Sequence, residues 1–150
     1  MPSCTFFGHR DSPDSLKPKL QSVVIDLITN HGVDMFYVGN QGAFDRLVRG
    51  VLREIVQECP QAQYAVVLAY TPSGRPAADA ADTMLPEVIE LVHPRYAISW
   101  RNNWMLQRSD FVVAYVAHSW GGAAQYMKKA IRSGKTVINL FDSEQGGHPL

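Results

Sequence analysis

Five short runs constrain what this chain can fold into. "YAVVLAY" (64–70), "FVVAYV" (111–116) and "KTVINL" (135–140) are apolar almost without interruption, and "SCTFFG" (3–8) and "MFYVG" (35–39) are of the same kind. Each is shorter than an ordinary helix and rich in β-branched or aromatic residues, so each reads as a strand covered on both faces. Between them the apolar residues recur at helical spacing. From about Leu16 to Asn30 the stripe is Leu20, Val23, Val24, Leu27 and Ile28; in "FDRLVRGVLREIVQEC" it is Leu47, Val48, Val51, Leu52, Ile55 and Val56, ending before Pro60. "RYAISWRNNWMLQRSD" is expected to be helical with Ala97, Trp100, Trp104 and Met105 on one side, and "GGAAQYMKKAIRSG" to be a helix opened and closed by glycine. Strands alternating with helices demand right-handed crossovers and a parallel sheet. The expected fold is a single doubly wound, Rossmann-like α/β domain over 1–150, with about five mostly parallel strands and helices on both faces. "TPSGRPAADAADTMLP" (71–86) reads as a long loop followed by a short helix near Pro86 to Leu91, and the chain from about 141 as a loose tail.

Composition removes several function classes. With 14 basic and 14 acidic residues the net charge is zero, so the electrostatic signature of a nucleic-acid binder is missing and nucleic acid is not an expected partner. Cys4 and Cys59 form no CxxC pattern and no His-rich tract accompanies them; they read as two reduced thiols, and no metal is expected. "MPSCTFFGHR" has no basic leader before a long apolar region, and no apolar stretch approaches the roughly 20 residues that span a bilayer. The expectation is a soluble, cytoplasmic protein without a membrane partner.

In an open α/β sheet, ligands bind outside the carboxyl ends of the strands. Three turns fall there: "GHRDS" (8–12), "GNQGAFD" (39–45) and "AHSWGGAAQ" (117–125). Glycine lets a backbone turn sharply and lets a ligand approach its amides, and a helix starting there aims unpaired N–H groups at the same point, which suits a phosphate. Gly39, Asn40 and Gly42 make one such turn; Gly121 and Gly122, followed by Ala123 and Ala124, make a second. Neither is the GxGxxG fingerprint or a P-loop. Gly8, His9 and Arg10 follow the first strand. Arg10 either holds a phosphate in a bidentate pair or pairs with Asp11 at the surface. His9 is either an acid–base group or a hydrogen-bond partner of a loop backbone. Asp45 either holds a ribose hydroxyl or complements the helix dipole. Arg101, Asn102 and Asn103 form a polar cluster between Trp100 and Trp104, two rings that either stack on a base or belong to the core. Ser119 lacks a GxSxG context, and Lys128 and Lys129 read as a solvated helix face.

Together "CTFFGHRDS", "FYVGNQGAFD", "YAVVLAYTP", "RNNWMLQRSDFVVAYV" and "WGGAAQYMKKAIRSGKTVINL" resemble the SLOG superfamily, and within it the small bacterial branch called DUF1273 or YpsA-like. The resemblance runs from about Ser3 to Leu140. It implies a Rossmann-like domain that binds a nucleotide or nucleotide derivative, with phosphate against the glycine turns: Gly39 and Gly42 match the first turn, Gly121 and Gly122 the second. Relatives include LOG-type phosphoribohydrolases, DprA, and sensors of NAD- or ADP-ribose-like signals, and they often dimerise, so a homodimer is an expectation. LOG-type hydrolases carry PGGxGTxxE at the second turn. Here Trp120 replaces the proline, Ala124 the third glycine, Gln125 the threonine, and Lys128 stands where the catalytic glutamate would be. Binding or sensing of a nucleotide-type molecule, such as ADP-ribose or NAD, is therefore expected ahead of hydrolysis, with no further cofactor. Adding the polar and small residues read at the same turns and in the polar cluster between Trp100 and Trp104, the expected ligand set is Gly8, His9, Arg10, Gly39, Asn40, Gly42, Asp45, Arg101, Asn102, Gly121, Gly122 and Ala123. An N-glycosidic hydrolase would need Asp45, Glu87 or Glu90 as its carboxylate. The third reading is a protein-interaction module with no small ligand.

Overall fold

The computed structural model describes residues 2–70 and 82–141. The elements are β1 (Ser3–Gly8), α1 (Lys17–His31), β2 (Met35–Val38), α2 (Gly42–Glu58), β3 (Gln63–Val67), β4 (Thr83–Met84), α3 (Ala97–Gln107), β5 (Phe111–Tyr115), α4 (Gly122–Arg132) and β6 (Thr136–Asn139). They make one sheet in the order β4-β3-β2-β1-β5-β6, parallel at every pairing. The fold is thus the expected doubly wound α/β type. It has six strands rather than five, because Thr83 and Met84, inside the segment read as a loop, pair with Val66 and Val67 at the sheet edge. Two residues are too few to leave a periodic signal. The short helix expected near Pro86 to Leu91 is a 3-10 turn at Ile89–Leu91. Most of the long loop, and the tail beyond Phe141, lie outside the described residues.

The pleat of β1 divides the core. Cys4 and Phe6 point to a cluster with Leu20, Val24 and Leu27 of α1 and Val48, Val51 and Leu52 of α2. Phe7 points the other way, to Met105 and Leu106 of α3 and Ala130 of α4. Alternate residues of a buried parallel strand serve opposite helical layers, which is why β1 needs apolar residues on both faces. Cys4 is fully buried; burial pushes its thiol pKa up, and the group is unreactive.

The buried stripe of α3 differs from the expected one. Ala97, Arg101, Met105 and Leu106 are buried, whereas Trp100 and Trp104 are half-buried. Trp104 sets its edge against Tyr37 and carries the Arg108 guanidinium over its ring. Ala97, Arg101 and Met105 are spaced by four, so one charged residue occupies the middle of an otherwise apolar helical row. Among the described residues no helix is long and apolar enough to cross a membrane.

Candidate functional site

The strand order reverses between β1 and β5: β2 follows β1 to one side, and β6 follows β5 to the other. Outside their carboxyl ends lies a pocket of about 440 Å³, lined by residues of the β1 turn, the α2 entrance, α3 and the α4 entrance. Doubly wound folds take ligands at this switch point. Of the expected site residues, Gly8, His9, Arg10, Asp45, Arg101, Asn102, Gly121, Gly122 and Ala123 line it. Gly39, Asn40 and Gly42 are not among its lining residues; Gly39 and Asn40 adjoin Arg101, and Gly42 adjoins Arg10.

The two glycine turns differ in what occupies them. At the first, protein groups explain each glycine. A Cβ on Gly39 would lie 2.9 Å from both Arg101 Cζ and Asp45 Oδ2, so Gly39 leaves room for these two side chains. Gly42 has φ of 91°, and a Cβ there would meet Arg10 at 3.0 Å. Gly8 is required for a similar reason, since a Cβ would collide with the Phe44 ring. The α2 entrance is partly satisfied by protein groups. Ala43 N donates to Arg10 O at 2.9 Å, and the N-cap amide, Gln41 N, donates to Asp45 Oδ2 at 2.9 Å.

The second turn is open. Gly121 holds φ of 97° and ψ of 171°, a conformation essentially confined to glycine. Among the described residues no side chain caps α4, and its first hydrogen bond, Gln125 N to Gly121 O, leaves the amides of Gly122, Ala123 and Ala124 at the helix start without intrahelical acceptors. A Cβ on Gly122 would meet nothing within 4 Å. Neither dihedral strain nor packing accounts for a glycine at 122.

Arg101 is the charged wall of the pocket. It is 1% exposed. Its Nη1 donates to Val67 O at 2.8 Å and to Asn40 Oδ1 at 3.4 Å, and its Nε donates to Asn102 Oδ1 at 2.8 Å. Nη2 has no hydrogen bond among the described residues. Burial lowers the guanidinium pKa, and the charge of Asp45 opposes the shift; an arginine remains a cation. Asp45 responds in the mirrored sense: burial raises its pKa to about 6, against the Gln41 amide and the charge of Arg101. Desolvation outweighs attraction because the two groups share the space over Gly39 without a direct ion pair among the described residues.

His9 is held by the backbone. Its Nε2 accepts from Ala117 N at 2.9 Å, which fixes the neutral ring with the proton on Nδ1. Burial lowers its pKa, His118 lowers it further, and Asp11 opposes both. Two lining residues left out of the expected ligand set are His118 and Trp120, although both lie in the second turn motif just before the glycine pair. Tyr126, one turn into α4 from Gly122, lines the pocket too and stacks on Phe7 at 5.1 Å.

The carboxylates of the pocket are Asp11 and Asp45. Glu87 and Glu90 are exposed and absent from its lining, and Lys128 is exposed on α4, facing a separate groove. No group of three or more His, Cys, Asp and Glu residues able to hold a metal occurs among the described residues.

No family model matches the chain, and neither does any curated protein. In three dimensions it is similar to DNA processing protein A (DprA) from Streptococcus pneumoniae, with a TM-score of 0.65 at 12% identity, over 91% of this chain and 49% of that one. The chain thus spans about half the length of the protein it matches, and what the two share is a Rossmann-like fold.

Proposed function

We propose that this chain binds or senses a nucleotide-derived small molecule of the ADP-ribose or NAD class in the pocket between β1 and β5. The observation that carries the proposal is the uncapped start of α4. Its amides face a pocket at the switch point, and Gly122, which nothing among the described residues requires to be glycine, gives a phosphate access to them. Arg101 supplies a buried positive charge with Nη2 uncommitted, and Arg10 adds a second at the rim. A volume of about 440 Å³ suits a small organic ligand. The five motifs that resemble the SLOG superfamily support the same class, and on them we assign the chain to its YpsA-like branch; the Rossmann-like fold shared with DprA accords with this. The test is to incubate the protein with NAD, ADP-ribose, cyclic ADP-ribose and common nucleotides, separate bound from free by filtration, and read both by mass spectrometry. Retention of an intact compound is the expected result. Passage of every compound through the filter refutes the proposal.

One observation favours hydrolysis as a second reading. Asp45, with its pKa at about 6, is a carboxyl group poised between protonation states inside the pocket. Lys128 does not replace a catalytic glutamate, since an exposed ammonium cannot steady a developing oxocarbenium ion. A free base and a sugar phosphate in the filtrate, abolished by Asp45→Asn, would establish hydrolysis.

A further inference from the structure

Three rings form a column at the pocket rim. His9 and His118 stack with centroids 3.8 Å apart and planes 14° from parallel; His118 and Trp120 stack at 3.7 Å and 15°. The column is tied down at both joints. His9 Nε2 takes the Ala117 amide, and His118 Nδ1 lies 3.0 Å from Trp120 O. Trp120 ends the column 68% exposed, with no further ring contact among the described residues. An indole is a large apolar surface to leave in water. Packing among the described residues does not explain its position, because one face has its partner and most of the ring is exposed. All three rings line the pocket, and Trp120 is followed directly by Gly121 and Gly122.

We infer that Trp120 is the platform on which the ligand's planar base stacks, and that the His9–His118 pair holds it in place. The inference rests on the nucleotide reading above and adds which end of the ligand goes where: phosphate over the α4 amides, base on the outer face of Trp120. A purine fits better than a pyrimidine, since the larger ring covers more of the indole. Stacking tolerates any base with a π-face, so this part of the site sets affinity more than it reads sequence-like detail. His118 acts as a positioning residue: its imidazole fills the inner face of Trp120 and makes no hydrogen bond of its own beyond the Trp120 carbonyl among the described residues.

The experiment compares ADP-ribose, which carries adenine, with ribose 5-phosphate, which has none. Affinities are measured by calorimetry on wild type, Trp120→Ala and Trp120→Phe. Base stacking is worth about 1–3 kcal/mol by alanine substitution, or from about fivefold to somewhat over a hundredfold. Trp120→Ala should weaken ADP-ribose by about tenfold or more and leave ribose 5-phosphate within about twofold. Trp120→Phe should recover most of the loss. Because Trp120 is exposed, both variants are expected to fold, and circular dichroism checks this. Binding of ADP-ribose to wild type should also quench Trp120 fluorescence, whereas ribose 5-phosphate should not. Equal ADP-ribose affinity in wild type and Trp120→Ala overturns the platform while leaving the nucleotide reading intact. Wild type that binds neither compound overturns the platform and rules out ADP-ribose as the ligand, and the filtration assay then decides the wider nucleotide reading.

Discussion

Replacing Asp45 by Asn tests the electrostatics of the pocket without a ligand. The carboxyl moves from 3.8 to about 6, chiefly through burial. A folded-state pKa raised above its unfolded value means that the native state binds more protons between those values, so stability falls as pH rises through them. Each pH unit is worth about 1.4 kcal/mol, and the interval of roughly two units gives a loss of about 3 kcal/mol between pH 4 and 6, reaching a plateau above. Asparagine keeps the shape and the acceptor for the Gln41 amide but does not titrate. The assay is urea unfolding of wild type and Asp45→Asn at half-unit steps from pH 4 to 7.5, with the difference between them plotted against pH. Taking the difference cancels the titration of every other carboxylate. Wild type should lose ground steadily until about pH 6. A flat difference, or one in which wild type gains with pH, would show that Arg101 rather than desolvation governs Asp45 and would refute the reasoning.

Three other outcomes follow from the same geometry. Gly122→Asp should fold normally, since its Cβ enters open space, yet lose affinity for ADP-ribose by at least about tenfold through like-charge repulsion at the α4 amides; calorimetry on the folded variant decides. Gly8→Ala should cost about 1–3 kcal/mol by overpacking against Phe44, and Phe44→Leu should relieve part of that cost in the double variant, both read by urea unfolding. Arg101→Met should fill the same volume while removing the cation. ADP-ribose affinity should fall by about tenfold or more, as expected for a charge-assisted hydrogen bond, and an unchanged affinity would move the phosphate away from Nη2.

The strands and their order of appearance were legible because buried parallel strands and amphipathic helices leave different apolar periods in a sequence. Glycine pairs after apolar runs likewise marked both helix entrances. Two things were not legible. Arg101 was expected in the ligand set, as part of a polar cluster between two tryptophans, but its burial was not: it fills the centre of the α3 row and reaches across to the Val67 carbonyl, and a charged residue gives no apolar signal, so its burial depends on partners distant in the chain. Trp120 read as a departure from a motif, and became the end of a ring column only once β1 and β5 were paired side by side, bringing His9 to the turn that holds His118.

The sequence by itself determined the layers, the parallel sheet and the two glycine turns, since local periodicity and backbone freedom are written residue by residue. Tertiary structure alone decided that the two turns are unlike. The first is filled by its own Asp45 and by Arg10 and Arg101, which arrive from two other segments, and the second has no such groups against it among the described residues. Whether an amide at a helix start is spent on the protein or kept for a ligand depends on what folds against it, and no local pattern records that.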